Sequence, residues 1–456
     1  MLASRAASLL KAKAPLASSS RWASTSATKD KYKIIVIGAG TAGLNVACQI
    51  RDRFWWGGKA LGKDDIAIVD AADFHYYQPG WTLVGSGLLN KSETQRPLKE
   101  LLPRKVVHIA ENVHSFQPEQ STITTTGGRT VAYEHLVVAP GLQINWDAID
   151  GLSKALVNPS SGVSSIYSYA TCDKVWTDIE ALRHGTAIFT QPAGIIKCAG
   201  APQKIMWMAW DRYRRTNRLD HINIDFYTGT PAMFGVKKYS DALEKLRIER
   251  GVGGYFQHNL VAVDPDNRKA TFKKADNTEV KVDYTLLHVV PPQGPLKVVK
   301  ESALADEAGW VAVDPATLRS TKFDNVWSLG DACSSPASKT AAAITAQTPV
   351  LTENLFQVAD KGVLGTAEYD GYASCPLLTG YDQLMLCEFK YGGIPKETFA
   401  PWPLVGGDQS TPKRLFFHLK KDFFPAVYWN FMVNGKWYGA KGLIPPSFDA
   451  PKIKSS

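Results

Sequence analysis

The stretch "IIVIGAGTAG" (34–43) decides how the first part of the chain is read. A run of apolar, mostly β-branched residues leads into Gly38, Gly40 and Gly43, the G-x-G-x-x-G spacing. In that pattern the first glycine permits a tight turn. The second lets backbone approach a pyrophosphate, and the third lets the following helix pack on the strand. The helix start then offers free N–H groups and a positive dipole end to phosphates. The next strand-like run, "IAIVD" (66–70), ends in Asp70, placed to accept hydrogen bonds from the ribose hydroxyls of an adenosine. Its spacing exceeds the usual ~20 residues, because "RFWWGGKALGKDD" (53–65) is inserted between.

Further strand-like runs are "HLVVAP", "TAIFT", "NIDFYTG", "LLHVV" and "NVWSLGD", with helical spacing at 41–53, 201–216 and 239–250. Strands alternating with helices predict parallel sheets built from βαβ units. The expected architecture is α/β, with two Rossmann-like dinucleotide-binding domains in tandem and a C-terminal membrane-facing region. The expected divisions are a dinucleotide domain in two parts, 31–150 and 299–355, a second domain over 151–298, and a C-terminal region over 356–456.

The formal net charge of +9 is carried by the tails. Residues 1–29 hold five basic residues and no acidic one, and residues 411–456 hold eight basic and two acidic, so the remainder is slightly acidic. A nucleic-acid partner is therefore not expected. Residues 1–30 are rich in Ser and Ala with scattered Arg and Lys, the composition of a mitochondrial transit peptide. Six cysteines without metal-ligand spacing make neither a disulfide scaffold nor a zinc site.

A second marker lies at "NVWSLGDA" (325–332), a strand ending in Gly330-Asp331, followed by the helix-start pattern "SSPASKTAAAITAQ". This is similar to the second signature of the two-dinucleotide-fold flavoproteins and implies FAD. Such proteins carry an Ala-Thr-Gly turn before the second domain. Here it is "LVVAPGLQ", with Pro140 in place of the threonine. The second domain normally has its own glycine fingerprint for a nicotinamide cofactor. After "TAIFT" this chain instead reads "QPAGIIKCAGAPQKIM" (191–206) and sets Cys198 there. A thiolate is a strong nucleophile and can stand in for a hydride donor as the point of electron entry. Cys375 reads as lying in a loop-like stretch, Cys387 and Cys48 as core, and Cys172 as a surface residue opening a helix.

The segments "IKCAGAPQKIM" (196–206), "SCPLLTGY" (374–381), "FHYYQPGWTLVGSG" (74–87), "FGVKKYSDAL" (234–243), "SKTAAAITAQ" (338–347) and "FFPAVYWNFM" (423–432) resemble the mitochondrial sulfide:quinone oxidoreductases. The resemblance runs over residues 33–440. It implies that Cys198 and Cys375 are the redox-active pair: hydrogen sulfide opens their sulfur bridge, Cys375 carries a persulfide, and electrons leave through Cys198 and FAD to ubiquinone. A small acceptor, glutathione or sulfite, would take the sulfane sulfur. Gly38, Gly40, Ala42, Gly43, Asp70, Gln78, Val113, Gly330, Asp331, Lys339 and Thr340 match FAD-lining positions of the family. No counterpart of a tethering cysteine is found, so FAD is expected to be non-covalent. Lys204, Lys339 or a helix N-terminus are candidates for lowering a thiol pKa.

The segment "PKRLFFHLKKDFFPAVYWNFMVNGKWYG" (412–439) has apolar residues at 416, 419, 423 and 427, with Lys420, Lys421 and Asp422 between them. The spacing fits an amphipathic helix lying on lipid, while an amphipathic helix capping the core is the alternative. It is too charged to span a bilayer. The expectation is peripheral attachment to the mitochondrial inner membrane. The competing activity is a type II NADH:quinone oxidoreductase, which the missing second fingerprint disfavours. A non-enzymatic flavin-fold protein would leave the cysteines idle.

Overall fold

The computed structural model describes residues 30–56, 61–62, 65–402 and 407–448, so the expected transit segment, apart from Asp30, lies outside the described residues. The strand Asp30–Ile37 sits inside a seven-stranded sheet, pairing in parallel with Ile66–Val69 on one side and Thr130–Val138 on the other. Ile34, Ile35, Val36 and Ile37 are all buried, as in a parallel strand covered on both faces. Val107–Ile109 extends the parallel side, and Thr122–Thr125 with Val113–Gln117 forms an antiparallel edge. Val326–Ser328 returns from beyond the middle of the chain and pairs in parallel with Leu136–Val138.

Between these parts the chain forms five parallel strands in the order Val163–Ser164, Leu286–His288, Gly185–Gln191, Ile222–Thr228, Gly253–Phe256, beside a three-stranded antiparallel sheet. The helix Ala201–Arg215 packs here with Trp207 and Tyr213 fully buried. Its core runs on into the hairpin Ala373–Gly380/Gln383–Lys390, whose Cys375, Leu377, Met385 and Cys387 belong to the same apolar cluster.

The C-terminal segment departs from the expected amphipathic helix. The helical stretch covers 414–432 and alternates α turns, Arg414–His418 and Phe424–Val427, with π turns, Leu419–Phe423 and Tyr428–Met432. Each π turn rotates the register, so the four apolar positions do not form one outward stripe. Phe416 and Val427 are buried, while Phe423 is 46% exposed. Tyr428, Trp429 and Met432 join the core beneath the helix Thr41–Trp56. Asn45 Nδ2 donates to Met432 O at 2.5 Å, and Gln49 Nε2 to Gly435 O at 3.1 Å. Much of this segment is wall of the first domain. Cys172, expected at the surface, is also fully buried, in the helix Cys172–Ala181.

The three fingerprint glycines have different reasons to be glycine. Gly38 has φ +92°, and a Cβ there would stand 2.6 Å from Ala139 O. A Cβ on Gly43 would fall 1.8 Å from Gly38 O, whereas one on Gly40 would meet nothing within 4 Å. Gly43→Ala is therefore expected to cost about 3 kcal/mol or more, since backbone must move. Gly40→Ala should leave stability within ~1 kcal/mol and weaken only dinucleotide binding. Chemical denaturation of the two variants with the cofactor removed checks the contrast.

Candidate active site

Cys198 lies in the connection between the strand Gly185–Gln191 and the helix Ala201–Arg215. Its φ is +53°, a region that residues with a Cβ seldom occupy. Two backbone hydrogen bonds hold it there. Its N–H donates to Lys339 O at 2.9 Å, and its carbonyl accepts from Ala201 N–H at 2.7 Å. Cys375 is within the strand Ala373–Gly380, 1% exposed, and not in the loop that its Ser-Cys-Pro context suggested. Strand pairing with Gln383–Lys390 overrides the proline beside it. The two Sγ atoms stand 4.0 Å apart. Gly200 makes this approach possible, because a Cβ there would lie 2.4 Å from Cys375 Sγ.

Of the candidates for activating a thiol, the structure places Lys204 at the sulfur. One helical turn past Gly200, its Nζ donates to Cys198 Sγ at 3.1 Å. The Cys375 thiol donating to Cys198, together with the Lys204 ammonium, holds Cys198 well below the usual thiol range. Cys375, which keeps the shared proton and is buried, is raised well above it. Burial alone would lower Lys204, but the facing Cys198 and Cys375 sulfurs outweigh it and raise this lysine. The arrangement pairs a low-pKa thiol with a protonated one beside a fixed cation.

Cys198 opens onto a cavity of about 460 Å³. Gly40, Ala42, Gln78, Asp331, Lys339 and Thr340 also line it, each singled out from the sequence. Gly38, Gly43 and Gly330 are not among its lining residues. Gly330 has φ +71°, donates its N–H to Gln347 Oε1 at 2.8 Å, and lets Ala42 approach. Asp70 accepts Ala39 N–H at 2.5 Å and Ala72 N–H at 2.8 Å, so it braces the glycine turn. Val113 starts the edge strand Val113–Gln117, away from the cavity lining. Gly40 and Gly141 border the cavity with open space where a Cβ would sit, a cradle suited to a phosphate-bearing cofactor.

Sequence reasoning missed three further groups. Lys197 lines the cavity, with Nζ donating to Gln78 Oε1 at 2.7 Å, and burial pushes it down to about 8. His75 Nδ1 donates to Ala39 O at 3.0 Å, leaving Nε2 to accept from Tyr428 Oη at 2.7 Å, which in turn accepts from Thr41 Oγ1 at 2.6 Å. This chain ties the terminal helix to the glycine turn. Lys420, expected on a basic outer face, is instead 3% exposed and donates to Pro79 O at 2.7 Å inside the cavity. Burial, helped by the nearby Lys204 ammonium, pushes it down to about 7. One signal was present: Lys420 follows the buried Phe416 by four residues, the same-face spacing of a helix. The far end of the cavity is apolar, lined by Leu419, Phe423, Phe424, Met432 and Trp437.

Lys420 carries a stability penalty with a definite sign. Its folded value of about 7 lies below the ordinary lysine value, so the cost is full under pH 7 and fades as pH rises toward about 10.5. Lys420→Met should raise thermal stability by roughly 1–3 kcal/mol near pH 6 and by much less near pH 9.5. Melting curves at the two pH values check this; equal shifts would show that no such penalty exists.

A family model described as pyridine nucleotide-disulphide oxidoreductase matches residues 32–174. The mitochondrial sulfide:quinone oxidoreductase of Schizosaccharomyces pombe is 47% identical over 430 residues, covering 91% of this chain and 93% of that protein. The mitochondrial sulfide:quinone oxidoreductase of Dictyostelium discoideum is 42% identical over 420 residues, covering 92% and 89%. The solved structure of the sulfide:quinone oxidoreductase from Aquifex aeolicus is similar in fold, with a TM-score of 0.68 over 89% of this chain and 92% of that one, at 16% identity. With identities of 47% and 42% across most of both chains, the protein belongs to the family of mitochondrial sulfide:quinone oxidoreductases.

Proposed function

We propose that this protein oxidises hydrogen sulfide and reduces ubiquinone, with Cys198 and Cys375 as the sulfur-handling pair. The observation that carries this is the 4.0 Å approach of the two sulfurs, beside Lys204, with Cys198 on the wall of the cavity that the glycine turn opens into. In the oxidised state the pair is bridged. Hydrosulfide attacks the Cys375 sulfur, the bridging bond breaks, and its electron pair leaves on Cys198. A low-pKa thiol is the better leaving group, and Lys204 compensates the charge that develops there. Cys375 then carries the persulfide. A small nucleophile, glutathione or sulfite, takes its outer sulfur and leaves Cys375 reduced. The burial of Cys375 favours an attacker as small as sulfide.

The residues present fit FAD held non-covalently. Gly38, Gly40 and Gly43 would receive its pyrophosphate, with Ala42, Asp70, Gln78, Gly330, Asp331, Lys339 and Thr340 as the remaining candidate contacts, while Val113 lies away from the cavity lining. Bound FAD would supply a two-electron acceptor for the reduced cysteines and a donor for the quinone. A type II NADH:quinone oxidoreductase would leave the Cys198–Lys204–Cys375 arrangement without a task.

No helix among the described residues is long and apolar enough to cross a membrane. At the apolar end of the cavity Phe423 is 46% exposed, and the next segment presents Leu443 and Ile444 at 53% and 70%. This rim is proposed as the contact with lipid of the mitochondrial inner membrane, and the cavity behind it as the path for the quinone. Since the terminal helix also builds the core, point substitutions test this better than truncation.

Cys198→Ser and Cys375→Ser should keep the flavin absorbance of the purified protein and lose sulfide-dependent quinone reduction by on the order of a thousandfold or more. Retained turnover in either variant would remove that cysteine from the mechanism. Leu443→Asp with Ile444→Asp should release the protein from liposomes in flotation, while sulfide still bleaches the flavin. Unchanged flotation would move the lipid contact elsewhere.

A further inference from the structure

Cys375 has a second sulfur neighbour. In the hairpin its register partner is Cys387, and directly opposed residues of an antiparallel pair project from the same face. Their Cα atoms are then about 4.5–5.5 Å apart, within the window of ~4.4–6.8 Å that a disulfide spans. That face packs on the helix Ala201–Arg215, in one apolar cluster with Leu377 and Met385. The opposite face, carrying Ser374, Pro376, Leu386 and Glu388, lines the cavity. Cys375 therefore stands between Cys198 and Cys387, and Cys387 is fully buried, so only an internal partner can reach it.

We infer that Cys387 is an alternative disulfide partner of Cys375, and that exchange between the two bridges parks the oxidised enzyme in a form slow toward sulfide. The inference rests on the proposed redox role of Cys198 and Cys375. The step is an internal thiol–disulfide exchange. The Cys387 sulfur attacks Cys375 Sγ, the Cys375–Cys387 bond forms, and the Cys198–Cys375 bond breaks. Its electron pair stays on Cys198 beside the Lys204 ammonium, and the Cys387 proton leaves by way of the cavity that Cys198 lines. The oxidation level is unchanged and no outside reagent is consumed.

Two features set the balance. Lys204, which eases departure of Cys198 when sulfide attacks, eases it equally when Cys387 attacks. Burial raises the Cys387 thiol, which keeps the exchange slow and makes Cys387 a poor leaving group afterwards. Lys204 and Cys198 face it from the helix start, Tyr239 from the helix Lys237–Glu249, and Glu397 from beyond the hairpin. Sulfide meeting the parked bridge must expel that thiolate in place of Cys198.

The test is disulfide mapping of the oxidised, full-length protein: acid quench, alkylation of free thiols under denaturing conditions, proteolysis and mass analysis. A Cys375–Cys387 linkage with Cys198 alkylated is expected in on the order of a tenth or more of the molecules. Rapid mixing with sulfide should show a second phase of flavin reduction, at least roughly tenfold slower, that is lost in Cys387→Ala and in Cys387→Ser. Finding only the Cys198–Cys375 linkage, or a slow phase that survives both substitutions, overturns the inference and leaves the catalytic pair standing. Alkylation of all three cysteines in the oxidised protein overturns both. The mapping uses the unsubstituted chain, so it does not depend on how well either variant folds.

Discussion

The missing Cβ of Gly200 is the constraint on which the site depends. Through that gap the C-terminal hairpin reaches the start of the helix Ala201–Arg215, closely enough for two sulfurs distant in sequence to stand 4.0 Å apart. The left-handed backbone at Cys198 and the Lys204 ammonium one turn later serve the same approach. Burying an ammonium is costly unless a compensating charge lies close. Here a sulfur supplies it, so the lysine and Cys198 stabilise each other's charged forms. The hydrogen bond between the two sulfurs, with Lys204 beside it, separates the cysteines chemically. Cys198 is held as the better leaving group, and Cys375 keeps the proton.

The C-terminal segment closes the other side. Its mixed α and π turns bury Lys420 behind Phe416 and leave Phe423 partly exposed. Met432 and Gly435 are hydrogen-bonded to the helix that follows the glycine turn, and Tyr428 is linked through His75 and Thr41 to the turn itself. The apolar lining of the cavity and the glycine turn thus share one packed body. Displacing the terminal helix would disturb both.

Much of this was legible because it is encoded locally. The glycine spacing, the strand before it, the turn at Gly330-Asp331 and the helix start that follows it each depend on a few neighbouring residues, and the structure forms each there. Thr340 accepts from Ala343 N–H at 3.1 Å, and Gly362 ends the same helix at φ +69°. The proline beside Cys375 speaks for a loop locally, whereas its strand is imposed by pairing with Gln383–Lys390. Cys172, at the start of its helix, is buried for a similar reason. Helical spacing shows which residues share a face, not which body will cover it.

From the sequence alone came the α/β class, the dinucleotide turn and, through its cysteine motifs, the family. Tertiary structure decided the distance between the sulfurs, the choice of Lys204 over Lys339, the inward turn of Lys420 and the placing of Cys387 opposite Cys375. The physical reason is one of range. Backbone conformation and capping are settled within a turn or two of chain, while a thiol's charge depends on desolvation and on ions only a few ångströms away. Folding brings those ions from segments far apart in the sequence.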